Sequence, residues 1–268
     1  MQFRQQALSK LQSPEELDLP VRLARPQGLL ALVVTVVVMA AASVWAVTGS
    51  VSSTLRAPGI LTHAQGSYVL QSPVTGQVTG VLAKEGQRLA AGAPVLKVRT
   101  EQGDRLVRAI DAGRVTTLSA GIGTVVTTGA DVATVEKTRS AGDPLLAMVY
   151  VPADSAGTVP VGADVDLTVQ SAPEQQYGML RGRVQAVGHG AQTQQQIAGF
   201  LGDKQLAGQF TKGGPTVAVL VKLVKSSATK SGYAWSSADG PPYALDSMTP
   251  ASGAVHLAGQ HPIDWLLP

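Results

Sequence analysis

The sequence predicts a mainly β protein: a single N-terminal transmembrane helix, a β domain built from a duplicated half, and a small β-barrel domain with a short helical insertion. Three observations carry this. Pro73 to Val135 repeats itself without a gap at an offset of 37 residues. Leu29 to Val47 is a run of nineteen residues, chiefly Leu, Val, Ala, Met and Trp, broken only by Thr35 and Ser43. The composition, with 29 Gly, 16 Pro and only three Phe, together with many Val and Thr, is that of a turn-rich β chain rather than a helical one.

Residues 1–28 form an amphipathic segment. One short helix is expected around Phe3 to Leu11, and a second start lies at Ser13-Pro14-Glu15-Glu16. There Ser13 caps, Pro14 takes the first helical position and Glu16 closes the box. Residues 29–48 follow as the membrane span. As a helix, Leu29 to Val47 is about 28 Å long, close to the roughly 30 Å of bilayer hydrocarbon. A cleaved signal peptide is the competing reading, with Ala40-Ala41-Ala42 as a small-residue cleavage region. The run exceeds the usual apolar core of about 7–15 residues and begins well into the chain, which favours an uncleaved anchor. Arg4, Lys10, Arg22 and Arg25 precede it, and only Arg56 follows before the repeat. That bias places the N-terminus in the cytoplasm and the bulk of the chain outside. Residues 49–66 then read as an extended linker or barrel strand, with Val51, Leu55, Ile60 and Leu61 as core candidates.

Residues 67–137 contain the repeat. Gly76 falls on Gly113, Gly86 on Gly123 and Gly92 on Gly129; Val78, Val81, Leu89, Val95 and Val98 fall on Val115, Leu118, Val126, Val132 and Val135. A unit of short strands separated by glycine turns cannot bury its apolar face alone, so the copies are expected to pack as a pseudo-two-fold pair. The six glycines are read as turn positions, where φ > 0 costs glycine little. This half-motif resembles the biotinyl/lipoyl domain, a flattened β-sandwich, and the resemblance brings a chemical test. In lipoyl domains a lysine at the hairpin between the halves carries the cofactor; here Gln102 stands at that position and Lys97 lies inside the preceding strand. A carboxamide cannot form the covalent amide, so no cofactor is expected.

Residues 138–268 read as a barrel. Leu145–Val151, Asp164–Val169 and Gly182–Val187 are strand-like, the second in strict alternation that puts Asp164 and Asp166 on a solvated face. Within 194–210, Ile197, Phe200, Leu201, Leu206 and Phe210 form a helical stripe weakened by Gly199, Gly202 and Gly208, expected as one or two short helices capping the barrel. Thr216–Val224 is a strong strand. Ser226–Pro242 is a polar loop in which Tyr233 and Trp235 share a side, as candidate partner contacts or as packing over a barrel end. Gly253–Leu257 and Ile263–Leu267 close the chain as strands.

Several chemistries lack their residues. Without cysteine the chain has neither disulfides nor thiolate metal sites. Charged residues make up 15%, and a formal charge of +3 is spread without a basic, aromatic-interleaved cluster, so nucleic-acid binding has no support. A duplicated β core also resembles zinc peptidases that cut cell walls, but those need an H-x-H pair, and His63, His189, His256 and His261 are nowhere two apart. No nucleophile elbow, P-loop or framed carboxylate pair appears.

The order of cytosolic stub, anchor, lipoyl-like domain and flanking barrel resembles the membrane fusion proteins, the periplasmic adaptor subunits of the haemolysin-secretion (HlyD) family. Phe3–Asp18, Val149-Tyr150-Val151-Pro152, Tyr177-Gly178, Ser231–Ser237, Gly240-Pro241-Pro242 and His261-Pro262-Ile263 are similar to the adaptors of NHLM-type bacteriocin export systems. The resemblance implies a non-enzymatic, homo-oligomeric adaptor in the cell (inner) membrane. Its implied partner is an ABC exporter with peptidase and ATPase subunits that moves a ribosomally made peptide; Phe3, Leu11, Tyr233 and Trp235 would be contact residues. An adaptor of a generic small-molecule efflux pump is the alternative. Many relatives carry a long helical hairpin between the lipoyl halves, and reaching about 100 Å takes roughly 70 helical residues per arm. Here only Arg99 to Arg108 lie between the halves, which reach at most about 35 Å.

Overall fold

The computed structural model describes residues 26–50, 52–138 and 142–259, so Phe3, Leu11, His261 and the strand expected over 263–267 lie outside the described residues. The N-terminal helix and the body Ser52–Ala258 belong to separate compact units and are taken in turn.

Helix α1 (Pro26–Thr48) carries no acidic residue in its first turn and no basic residue in its last. Its stretch Gly28–Thr48 has a mean hydropathy of 2.5 and is long and apolar enough to cross a membrane. The polar side chains within it are satisfied locally: Thr35, Ser43 and Thr48 donate to the carbonyls of Ala31, Met39 and Val44 at 2.7–2.8 Å. In hydrocarbon, where water cannot serve them, that is the arrangement their hydroxyls require.

In the body, β1 (Thr54–Thr62) opens the barrel and the chain then leaves it for the sandwich. Strands β2 (Ser67–Gln71), β3 (Gly76–Val81), β4 (Arg88–Leu89), β5 (Pro94–Thr100), β6 (Gly103–Arg108), β7 (Gly113–Leu118), β8 (Val125–Val126) and β9 (Asp131–Lys137) form two four-stranded sheets, β2-β9-β7-β4 and β6-β5-β3-β8. Adding 37 to the bounds of β3, β4 and β5 gives those of β7, β8 and β9. The symmetry extends one strand before the repeat legible in the sequence: β2 pairs β9 at Leu70–Ala133 as β6 pairs β5 at Val107–Leu96. Each short strand crosses to the other copy's sheet, β4 pairing β7 and β8 pairing β3. Val78, Leu89, Val95 and Val98 meet Val115, Val126, Val132 and Val135 in one core.

The glycines divide into two kinds. Gly86, Gly92, Gly123 and Gly129 have φ of 79°, 77°, 90° and 85°, and equivalent bonds run from Gly86 N–H to Val115 O and from Gly123 N–H to Val78 O. Gly76 and Gly113, expected as turns, are instead the first residues of β3 and β7. A Cβ there would run into the carbonyl oxygens of Arg99 and Glu136, which are themselves equivalent positions. Close backbone approach, not φ, requires those two.

The chain returns to the barrel as β10 (Leu146–Pro152), β11 (Asp164–Val169), β12 (Leu180–Val187), β13 (Thr216–Leu223) and β14 (Thr249–His256), closing in the order β1-β10-β13-β12-β11-β14. Leu61, Val149, Val151, Val165, Leu167, Val219 and Val221 fill its interior. A single helical turn, α2 (Glu174–Tyr177), lies between β11 and β12. The insertion forms α3 (Gln194–Leu201) and α4 (Lys204–Phe210), separated at Gly202 in the left-handed conformation. These helices do not cap the barrel's end. Ile197, Leu201, Ala207 and Phe210 pack on Ile60 and Tyr150, which point out of the barrel wall. Asp166 also departs from expectation: it is buried under Arg181 and His256, the latter at 2.9 Å, whereas Asp164 stays exposed with Arg183 at 3.0 Å.

Candidate functional site

The functional positions follow from how the sandwich is fixed to the barrel. Glu136 on β9 has no exposed surface although it is a carboxylate. Its Oε1 accepts from the His63 backbone N–H at 3.1 Å and lies 2.8 Å from His63 Nδ1; the Ser247 hydroxyl donates to Oε2, and Thr62 Oγ1 stands 3.4 Å from Oε1. Burial pushes this carboxyl up, but the hydrogen bonds from His63 and Ser247 and the charge of His63 outweigh it and hold Glu136 below the usual glutamate value. His63 follows the end of β1, and Ser247 precedes β14. One carboxylate thus ties the sandwich to both ends of the barrel chain. Arg114 adds a weaker tie, 3.6 Å from Asp246, while its Nε donates to Gly86 O at 3.1 Å. Sequence reading did not single out Glu136. The signal available was the repeat itself, in which Glu136 falls on Arg99, a charge reversal between copies.

On the opposite sheet, β5 and β6 continue the segment 99–108 as a tight hairpin, so it is not a loose connection. Thr100 pairs Gly103 across the turn Glu101–Gln102. Thr100 Oγ1 donates to Gly103 O at 2.8 Å and accepts from Gln102 N–H at 3.2 Å. Gln102 is exposed at this tip. Asp104 is drawn below the usual aspartate value by hydrogen bonds from Lys97 and then Arg99, so Lys97 is held in the sheet and away from the tip.

Tyr233 and Trp235 are not a free aromatic surface. Trp235 is buried in the barrel core, its indole N–H donating to Ser231 Oγ at 2.9 Å. Tyr233 is half-buried, and its hydroxyl accepts from Leu145 N–H at 3.2 Å. Alternation correctly put them on one side; that side is the inside. Among the described residues no group of three or more His, Cys, Asp or Glu is placed to hold a metal ion.

A duplicated two-sheet sandwich and a closed six-stranded barrel define the fold of the body. Two solved structures are similar in fold over most of this chain. ZneB from Cupriavidus metallidurans matches with a TM-score of 0.51 at 11% identity, over 77% of this chain and 99% of that one. MacA from Actinobacillus actinomycetemcomitans matches with a TM-score of 0.52 at 9% identity, over 80% of this chain and 81% of that one. No protein-family model and no curated protein matches the sequence.

Proposed function

We propose that this chain is a membrane-anchored adaptor, a membrane fusion protein subunit that assists an ABC exporter in moving a ribosomally made peptide, with no catalysis of its own. The observation that carries the reading is a lipoyl-type sandwich whose tip, Glu101–Gln102, offers no amine to modify, in a chain that also has a membrane-capable helix. A domain that keeps the carrier architecture without the carrier's attachment point serves as a scaffold. The fold shared with ZneB and MacA supports the adaptor class; the sequence resemblance to NHLM-type adaptors supports the peptide exporter as partner. The chain then works as a homo-oligomer through extended surfaces, with its N-terminus in the cytoplasm. Co-purification from mild detergent, followed by mass spectrometry of the bound ATPase, tests this. A peptidase-containing exporter is the expected partner. A drug-type transporter would support the small-molecule alternative, and recovery without any transporter would overturn the adaptor reading.

A further inference from the structure

Between the outer face of the β2-β9-β7-β4 sheet and the α3–α4 pair lies a cleft of about 830 Å³, within the usual range for ligand sites. Hydroxyls of Thr117, Ser119 and Thr134 line one wall; carboxamides of Gln194, Gln195 and Gln205 line the other. Among the described residues these six side chains have no hydrogen-bond partner, so both donors and acceptors are available to a ligand. Charge is nearly balanced and mostly engaged: Asp131 accepts from Gln71 at 2.9 Å and Asp203 caps α4, leaving Lys204 as the lone cation. A single cation does not make a phosphate site, and no aromatic side chain lines the cleft for a sugar or a ring to stack on.

Gly199 supplies an independent observation. It sits inside α3, where glycine weakens a helix relative to alanine. No positive φ requires it, and a Cβ there would meet nothing within 4 Å. Neither conformation nor packing explains this glycine, yet it lines the cleft. Its missing side chain leaves one wall at backbone level, open to close approach by another main chain.

We propose that this cleft binds an extended, uncharged stretch of peptide through its main chain. Carboxamides and hydroxyls match the alternating N–H and C=O groups of a backbone and are indifferent to its side chains, which suits a site that must accept varied sequence. That the peptide is exported cargo rests on the adaptor reading; that the ligand is a peptide rests on the cleft alone.

The test uses the full chain in detergent micelles and a fluorescein-labelled short peptide of Gly, Ser, Thr and Asn, followed by anisotropy. Saturable binding is expected, at least about tenfold weaker for the same peptide N-methylated at alternate amides and for the Gly199→Leu variant. Gly199→Ala should raise the melting temperature while weakening binding less. Should Gly199→Leu lower the melting temperature, the Gln195→Ala/Gln205→Ala pair carries the comparison. Absence of saturable binding, or equal affinity for the N-methylated peptide or for the folded cleft variants, overturns the proposal. Transporter co-purification should be unchanged in these variants, so failure of the cleft and failure of the adaptor reading give different results.

Discussion

Arg99 and Glu136 hold the same place in the two copies of the sandwich and live in opposite surroundings. Arg99 is exposed at the hairpin with Asp104, and Glu136 is sealed against His63 and Ser247. Because the Glu136 carboxyl is held below its ordinary value of 4.5, its contribution to stability is fully present above that pH and is lost as pH falls through the depressed folded value. Urea midpoints measured from pH 7 downward should therefore drop more steeply for the parent than for Glu136→Gln, and Glu136→Ala should cost about 1–3 kcal/mol at neutral pH by stranding its donors. The glycines call for a parallel comparison. Gly76→Ala and Gly113→Ala meet a backbone oxygen and should cost about 1–3 kcal/mol through overpacking; Gly86→Ala meets only the Arg114 guanidinium at an ordinary 3.7 Å and Gly123→Ala meets open space, so both should cost a similar amount through φ alone. Replacement by a D-alanine, which tolerates positive φ, should rescue the second pair and not the first. Aligned glycines were plain in the sequence, whereas their two causes were not, because a missing side chain looks the same whichever constraint removed it.

Among the elements, the two insertion helices show what periodicity can and cannot deliver. Their apolar stripe, Ile197, Leu201 and Phe210, was legible, but which of Gly199, Gly202 and Gly208 breaks it was not. The surface they cover was not, because Ile60 and Tyr150 become an outward-facing pair only once the barrel has closed around the opposite faces of β1 and β10. Phe210 stacks on Tyr150 with ring centroids 4.8 Å apart, and burial pushes the Tyr150 phenol well up. The Asp203 carboxylate accepts from the N–H groups of Gln205 and Leu206 at the start of α4. Asp203→Ala should lower stability by about 1 kcal/mol, readable by thermal melting followed by circular dichroism. At the other extreme, Gln102→Ala removes no side-chain bond from an exposed turn and should change stability by less than about 0.5 kcal/mol. The sandwich repeat was legible over β3 to β5 and β7 to β9, but β2 and β6 escaped notice. Tyr68 and Val69 fall on Arg105 and Leu106 at the 37-residue offset, so the pairing survives in hydrogen bonds and not in residue type.

For the whole molecule, helix α1 gives the topological expectation its test. A reporter joined after Pro268 should be active only outside the cytoplasm, and the purified chain should keep its N-terminal residues. A soluble product starting near Ala42 would mean that the span is cleaved. On the proposed adaptor reading, removing residues 2–18 should impair peptide export while leaving the melting of the Ser52–Ala258 body unchanged, as measured by peptide in the medium normalised to the amount of this chain in the membrane. Composition and order already separated anchor, sandwich and barrel. What joins the sandwich to the barrel was hidden, since Glu136, His63 and Ser247 are brought together from three distant parts of the chain.

The crossing of β4 and β8 has a further consequence. Because each copy lends two strands to the other's sheet, β2 and β4 in one direction and β6 and β8 in the other, neither can be completed by its own residues. The sandwich has the geometry of a strand-exchanged homodimer stitched into a single polypeptide at Glu101–Gln102. Cutting that stitch separates no sheet from its partner: the severed halves stay interlocked, so chain continuity there is a matter of assembly speed and effective concentration rather than of architecture.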